Sequence, residues 1–386
     1  MKKVTILMLA LLFVVGCQNK HSTRDCIEYI DSLKINLENT TLKVALTDLA
    51  QENNVRPYSI FFDSYLLVLN KKDFFYAFHL GCFERDTIYE QKINTKKFKK
   101  AFAAFDNLYG IDENNRAFRY ENKTAEWIEH NNLPLLNSTP IYENDKYICY
   151  TLSHGKWGGY VFFYNKHTGK MTFVPATFAV SLMEQESGGF YIVCNLSDVA
   201  ASSYIKKVEN PDSLFKLPDT LKHFDDIWEE ISFYRSIMSA DTDNYHLMDY
   251  VCFDKNGNII QQPTHMYEDW DKLITAGFII KDKNYFLTQY QHVINKKYSP
   301  KTKLTELDNG SLVVINTADT IFLGLPSSHG EITRKVKNNI VIDYTQFAST
   351  KDLSDSKFRN LLLTTFIITD TTLIRINWID WKKEHE

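Results

Sequence analysis

Several things are missing from this chain, and each absence narrows it. No serine/glycine tract interrupts it, and its nine prolines are scattered through 386 residues. Nothing therefore marks a linker or a low-complexity segment. Its six cysteines, at positions 17, 26, 82, 149, 194 and 252, never form a C-x-x-C pair, which removes the basis for a zinc or dithiol redox site. There is no H-E-x-x-H, no EF-hand loop, no glycine-rich phosphate loop behind a strand and no G-x-S-x-G elbow. No metal and no cofactor is expected. Basic residues do not dominate: 44 Lys and Arg stand against 48 Asp and Glu, for a net charge of −4. Nucleic acid needs clustered cations to displace its counterions, so it is not an expected partner. Long helical periodicities are scarce as well.

What is present begins at the N-terminus. Lys2 and Lys3 precede an apolar run from Thr5 to Gly16. A helix of about a dozen residues rises roughly 18 Å, short of a bilayer core of about 30 Å. Residues 1–16 therefore have the layout of a secretion signal. The run closes on Val14-Val15-Gly16-Cys17, which resembles a bacterial lipobox. That resemblance implies cleavage before Cys17, acylation of the new terminal cysteine and a stable lipid anchor. Gln18 stands where an Asp would retain a Gram-negative lipoprotein at the inner membrane. The implied location is the cell envelope, on the outer membrane, facing either leaflet. Residues 17–25 read as a polar tether, and 26–386 as a single domain.

Beyond Pro57 the chain is rich in Tyr, Phe, Ile and Val, in short runs divided by Asn, Asp, Gly and Lys. This is strand-and-turn patterning. "YVFFYNKHTGKMTFVP" (160–175) and "YVCFDKNGNIIQQP" (250–263) each read as a hairpin. The runs also repeat. Tyr65, Tyr109, Tyr147, Tyr191, Tyr245 and Tyr285 each begin or sit early in an extended run, and a second strand-like run generally follows. The interval is about 44 residues. A strand-rich unit of that length, repeated, predicts an all-β fold, a β-propeller of four-stranded blades, six or seven in number. "SLKINLE" (32–38) and "TTLIRINW" (371–378) are the expected closing strands, and residues 41–54 are expected to hold one short helix. Cys149, Cys194 and Cys252 lie in β-like runs, where a thiol acts as a small buried hydrophobe.

The lipobox, the tyrosine-led strands "NLYGID" and "DKYICY", and the hairpins "VFFYNKHTGK" and "VCFDKNGN" together resemble the lipid-anchored six-bladed β-propeller proteins of Bacteroidetes-type bacteria. The pattern covers residues 58 to 300; the strand-like runs after Pro300 depart from its spacing. The resemblance implies an envelope lipoprotein and no established activity.

One loop merits a functional reading. "SHGKWGGY" (153–160) falls between two expected strands, and its three glycines permit unusual backbone angles. Trp157 is expected near solvent with His154 and Lys156 beside it, a platform for a sugar ring or a partner protein. Ser153 and His154 do not form a nucleophile and base, because adjacent strand residues point to opposite faces. The acidic runs "HFDDIWEE" (223–230) and "YEDWDK" (267–272) supply carboxylates of the kind that cleave glycosides. Asp225, Asp226, Glu229 and Glu230 fit one exposed face of a helical turn better. The expected function is a non-catalytic, membrane-anchored platform for a protein or glycan ligand. The alternatives are a propeller hydrolase or lyase acting on polysaccharide or peptide, and an accessory subunit of an outer-membrane complex.

Overall fold

A computed structural model describes residues 27, 29–37, 39–49, 55–130, 138–154, 157–196, 202–218, 226–240, 250–253, 259–261, 272–290, 293–294, 297–298, 301–308, 311–316, 332–336, 339–347 and 361–378. The expected signal (1–16), Cys17, the tether (17–25) and Lys156 lie outside them. Among the described residues the helices are Thr87–Ile93 and Ile227–Ala240, with a 3-10 turn at Pro211–Ser213; the rest is mainly strand.

The strands follow one another as antiparallel meanders. Val55–Phe62, Tyr65–Asn70 and Phe75–His79 form the first. The second is Lys100–Ala104, Asn107–Ile111, Ala117–Glu121 and Glu126–Glu129. Thr139–Glu143, Tyr147–Ser153, Gly159–Asn165 and Met171–Pro175 make the third, with Phe215–Lys216 added at its edge. The fourth holds Ala179–Glu184, Phe190–Leu196, Ser202–Val208, Tyr250–Phe253 and Ile259–Gln261. Lys272–Ile280, Lys283–Tyr290, Lys301–Asp308 and Ser311–Asn316 form the fifth. The sixth is Ile332–Val336, Asn339–Phe347, Leu361–Ile368 and Thr372–Asn377. Tyr142 and Lys335 form a parallel bridge between the first strands of the third and sixth.

Each meander has two apolar faces, and neither can be left in water. Leu67 and Phe75 of the first pack with Phe98, Leu108 and Phe118 of the second and its approach. Phe102 and Tyr109 meet Tyr150, Phe162 and Phe173. Cys149, Val161 and Phe163 meet Leu182, Phe190 and Cys194. Met183, Val193 and Ile205 meet Ile274 and Phe286. Phe278 and Leu287 meet Ile342, Phe366 and Leu373. Val341, Ile367 and Ile374 of the sixth then pack on Leu66 and Val68 of the first. This face-to-face succession, returning to its start, is how a propeller buries sheets that would be unstable singly. Cys149 and Cys194 are fully buried and unpaired, as small hydrophobes. The side-chain environment of Cys252 lies outside the described residues.

Two expectations change. Of the run expected to hold a helix, 50–54 lie outside the described residues and 41–48 are a strand: Thr41–Asp48 pairs in parallel with Thr372–Asn377, from Lys43↔Thr372 to Asp48↔Asn377. Leu42 and Val44 are buried while Thr41 and Lys43 are exposed, a period of two that overrides the helical reading. Tyr29–Asn36, which holds most of "SLKINLE", pairs with this strand rather than with the C-terminal one. The second change concerns the tyrosine period. Tyr65, Tyr109, Tyr147, Tyr191 and Tyr285 fall on the second strands of the first five meanders. Tyr245 lies outside the described residues, and the strand after it opens no new unit. Cys252 pairs with Tyr204, so Tyr250–Phe253 continues the fourth meander. The helix Ile227–Ala240 is inserted there and stretches one unit over the interval that two had been expected to fill.

Candidate binding site

The hairpin of Tyr147–Ser153 and Gly159–Asn165 places the 154–158 loop beyond the start of the neighbouring first strand, because Thr139 pairs with Thr151 and Glu143 with Ile148. The loop is closed by two backbone bonds: His154 N donates to Gly158 O at 2.8 Å, and Trp157 N to His154 O at 3.3 Å. Gly158 has φ of +125°, which side chains disfavour, and a Cβ on Gly159 would stand 2.8 Å from Ala176 O. The two glycines thus turn the chain sharply enough to present Trp157 outward, 48% exposed.

Trp157 does not stand alone. The helix Ile227–Ala240 folds back onto the third meander, burying Ile231 and Tyr234. The Tyr234 ring lies 4.5 Å from Tyr160, 5.6 Å from Phe162 and 5.3 Å from Phe173. Asp226 precedes the helix, and its Oδ1 accepts from Trp228 N at 3.1 Å, as a capping carboxylate does. Trp228, 49% exposed, then meets Trp157 edge to face, with ring centres 4.8 Å apart and planes at 64°. The loop and the acidic segment, separate in the sequence, thus meet in the structure. Asp225 and most of 267–272 lie outside the described residues.

His154 sits under the loop and is buried, with 7% exposure. Its ring packs against Tyr160, and its Nε2 stands 3.7 Å from a Glu230 carboxylate oxygen without a hydrogen-bond partner. Burial pushes the imidazole below its usual value, because an apolar surround disfavours the charged form. In this position His154 supports the loop from beneath. Tyr234 donates to Glu230 at 3.4 Å, and its own hydroxyl is pushed upward by burial.

The opposite end, where the first strands finish, is built otherwise. An open cleft of about 890 Å³ adjoins another of about 660 Å³, and Tyr142, Glu184, Arg334 and Lys335 line both. Glu143 accepts from Phe105 N at 3.2 Å and pairs with Lys166 at 3.1 Å. Glu184 accepts from the Tyr142 hydroxyl and from Asn144 at 2.8 Å, with Lys335 at 3.9 Å. Behind them Asp343 accepts from Ser59 N at 2.9 Å, Ser59 Oγ at 2.7 Å, Thr365 at 2.8 Å and the Arg334 guanidinium. Arg334 also lies 4.1 Å over the Tyr58 ring. The sequence offered no motif for this cluster. Its one local signal is an acid ending two first strands, Glu143 and Glu184. Among the described residues no group of three or more His, Cys, Asp or Glu is placed to hold a metal, and no helix is long and apolar enough to cross a membrane.

No protein-family profile and no curated protein matches the sequence. Solved structures similar to this one are β-propellers. BamB from Moraxella catarrhalis is 9% identical over 59% of this chain and 65% of its own, with a TM-score of 0.29. An oligogalacturonate lyase in complex with manganese is 10% identical over 83% and 76%, at 0.36. The WD40 domain of SCAP from fission yeast is 8% identical over 85% and 88%, at 0.32. With scores this low, the order and packing of this chain's own meanders carry the fold.

Proposed function

We propose that this chain is a cell-envelope lipoprotein, anchored through Cys17 in the outer membrane, whose six meanders are the blades of a non-catalytic propeller serving as a binding platform. The observation that carries the reading is the Trp157–Trp228 pair: two large rings held half in water by a glycine turn and a capped helix. Rigid, exposed aromatics are the commonest anchors of recognition sites. The catalytic alternative draws less support, because Glu143 and Glu184 are each engaged by donors and cations at the cleft. The accessory-subunit alternative is a special case of the platform, with a protein ligand.

Two experiments test the two halves. Labelling with a palmitate analogue should mark the wild type and not Cys17→Ser; equal labelling removes the anchor. Envelope material captured by the detergent-solubilised protein should be lost with the Trp157→Ala/Trp228→Ala double variant and kept with Trp127→Phe, a partly buried tryptophan packed on the core of the first two meanders. Equal capture by all three removes this face as the working surface.

A further inference from the structure

We infer that the Trp157–Trp228 pair is a subsite for one sugar ring of an uncharged glycan; this rests on the platform reading above. The first argument is size. A tryptophan exposes about 250 Å² when free, so two half-exposed rings offer roughly 250 Å² together. A stable protein partner needs about 800 Å² on each side. Among the described residues the other exposed large hydrophobics are Leu46, Ile88, Ile128 and Ile227. Of these, Ile227 alone belongs to the same helical turn as Trp228. The apolar patch among the described residues is therefore small, and it matches a pyranose, whose C–H face covers one indole.

The second argument is geometry. An edge-to-face pair at 64° makes a corner, not a flat plate. One ring stacks under the sugar while the other closes its side. The third argument is charge. Among the described residues, Asp226 just before the helix and Glu229 and Glu230 in its first turn stand beside the rings, against Arg235 as the helix's own cation. Asp226 and Glu229 are exposed, and Glu230 is partly so. Carboxylates accept hydrogen bonds from vicinal hydroxyls, and they repel uronate, sulfate and phosphate groups. The charge beside the rings among the described residues is therefore negative, which favours neutral sugars over anionic ones.

The test uses the full-length lipoprotein in a detergent without a sugar headgroup. Tryptophan emission and calorimetry are followed during titration with gluco-, manno-, xylo- and chito-oligosaccharides, and with polygalacturonate and heparin as acidic probes. At least one neutral series should bind saturably and shift the emission, and the acidic probes should not bind. Trp157→Ala and Trp228→Ala should each weaken binding ~10-fold or more, about 1.4 kcal/mol, while Trp157→Phe stays within about three-fold. Binding of acidic probes alone, of no neutral probe, or equally by the alanine variants overturns the inference. If the double variant still loses its envelope partner while no sugar binds the wild type, the platform stands and the sugar assignment falls. If neither activity depends on the rings, both fall.

Discussion

The two ends of the meanders differ in what their side chains leave to solvent. At the cleft, carboxylates from separate meanders are each met by donors: Glu143 by Phe105 N and Lys166, Glu184 by Tyr142 and Asn144, and Asp343 by Ser59, Thr365 and Arg334. At the tryptophan end, two rings remain half in water; each end also keeps a buried nitrogen without a partner, His154 Nε2 there and Arg334 Nε at the cleft. A polar network satisfied by its own chain rigidifies and specifies a fold. Apolar surface left open on a rigid turn is available to another molecule. Under the proposed function the cleft serves stability and the tryptophan end recognition, and substitutions at each end should separate the two.

The largest effect is expected at Asp343. Its carboxylate is 2% exposed and the facing Arg334 is 5% exposed. Asp343→Ala leaves a guanidinium buried without its counter-charge, at a cost of about 3–5 kcal/mol. Urea unfolding measures it. A loss under about 1 kcal/mol would mean that water reaches Arg334 and that the cleft is open to ligands after all.

Glu184→Ala comes next. It strands the Tyr142 hydroxyl and the Asn144 amide, for a loss of about 1–3 kcal/mol, and it should leave binding at the tryptophan end unchanged. A change in binding with no change in stability would reverse the assignment of the two ends. Trp157→Ala should do the opposite. Half of the ring is already in water, and the edge-to-face contact is worth about 1 kcal/mol. Stability should fall by about that amount or less while binding collapses.

Much of this comparison could be read from the residues, and the unread part has a definite cause. Strands and hairpins are local. The turn 165–170 with Gly169 at φ +67° and the short apolar run "YVFFYN" identify themselves. Trp157 in its glycine loop was equally legible. Trp228 was not, because it stood inside a run noticed only for its acids. It meets Trp157 only because Tyr234, three residues after Ile231, turns the helix apolar side down onto Tyr160. The strand Thr41–Asp48 was misread for a related reason. A run holding Leu, Ala and Lys has no strong local preference, and its pairing with Thr372–Asn377 at the far end of the chain decides its state. The cleft network draws on Ser59, Glu143, Glu184, Arg334 and Asp343, far apart in sequence. Register alone brings such residues together.

The smallest effect is a slope, and it belongs to His154. Its folded value is lowered by burial, while the unfolded chain titrates near 6.5. As pH falls through about 6.5, the unfolded state takes up a proton that the folded state resists. The contribution of the neutral, buried ring is thus fully present above about 6.5 and is lost as pH drops toward the folded value. Among the described residues, Glu230 at 3.7 Å and the Tyr160 ring face it, and neither donates or accepts a hydrogen bond at Nε2. Urea midpoints measured from pH 7.5 to 5 should fall less steeply in His154→Leu than in the wild type. All other groups are common to both proteins and cancel from the difference. Parallel pH slopes would show that the Glu230 carboxylate closes on a protonated ring, and that the tryptophan end, like the cleft, is held together by a satisfied ion pair.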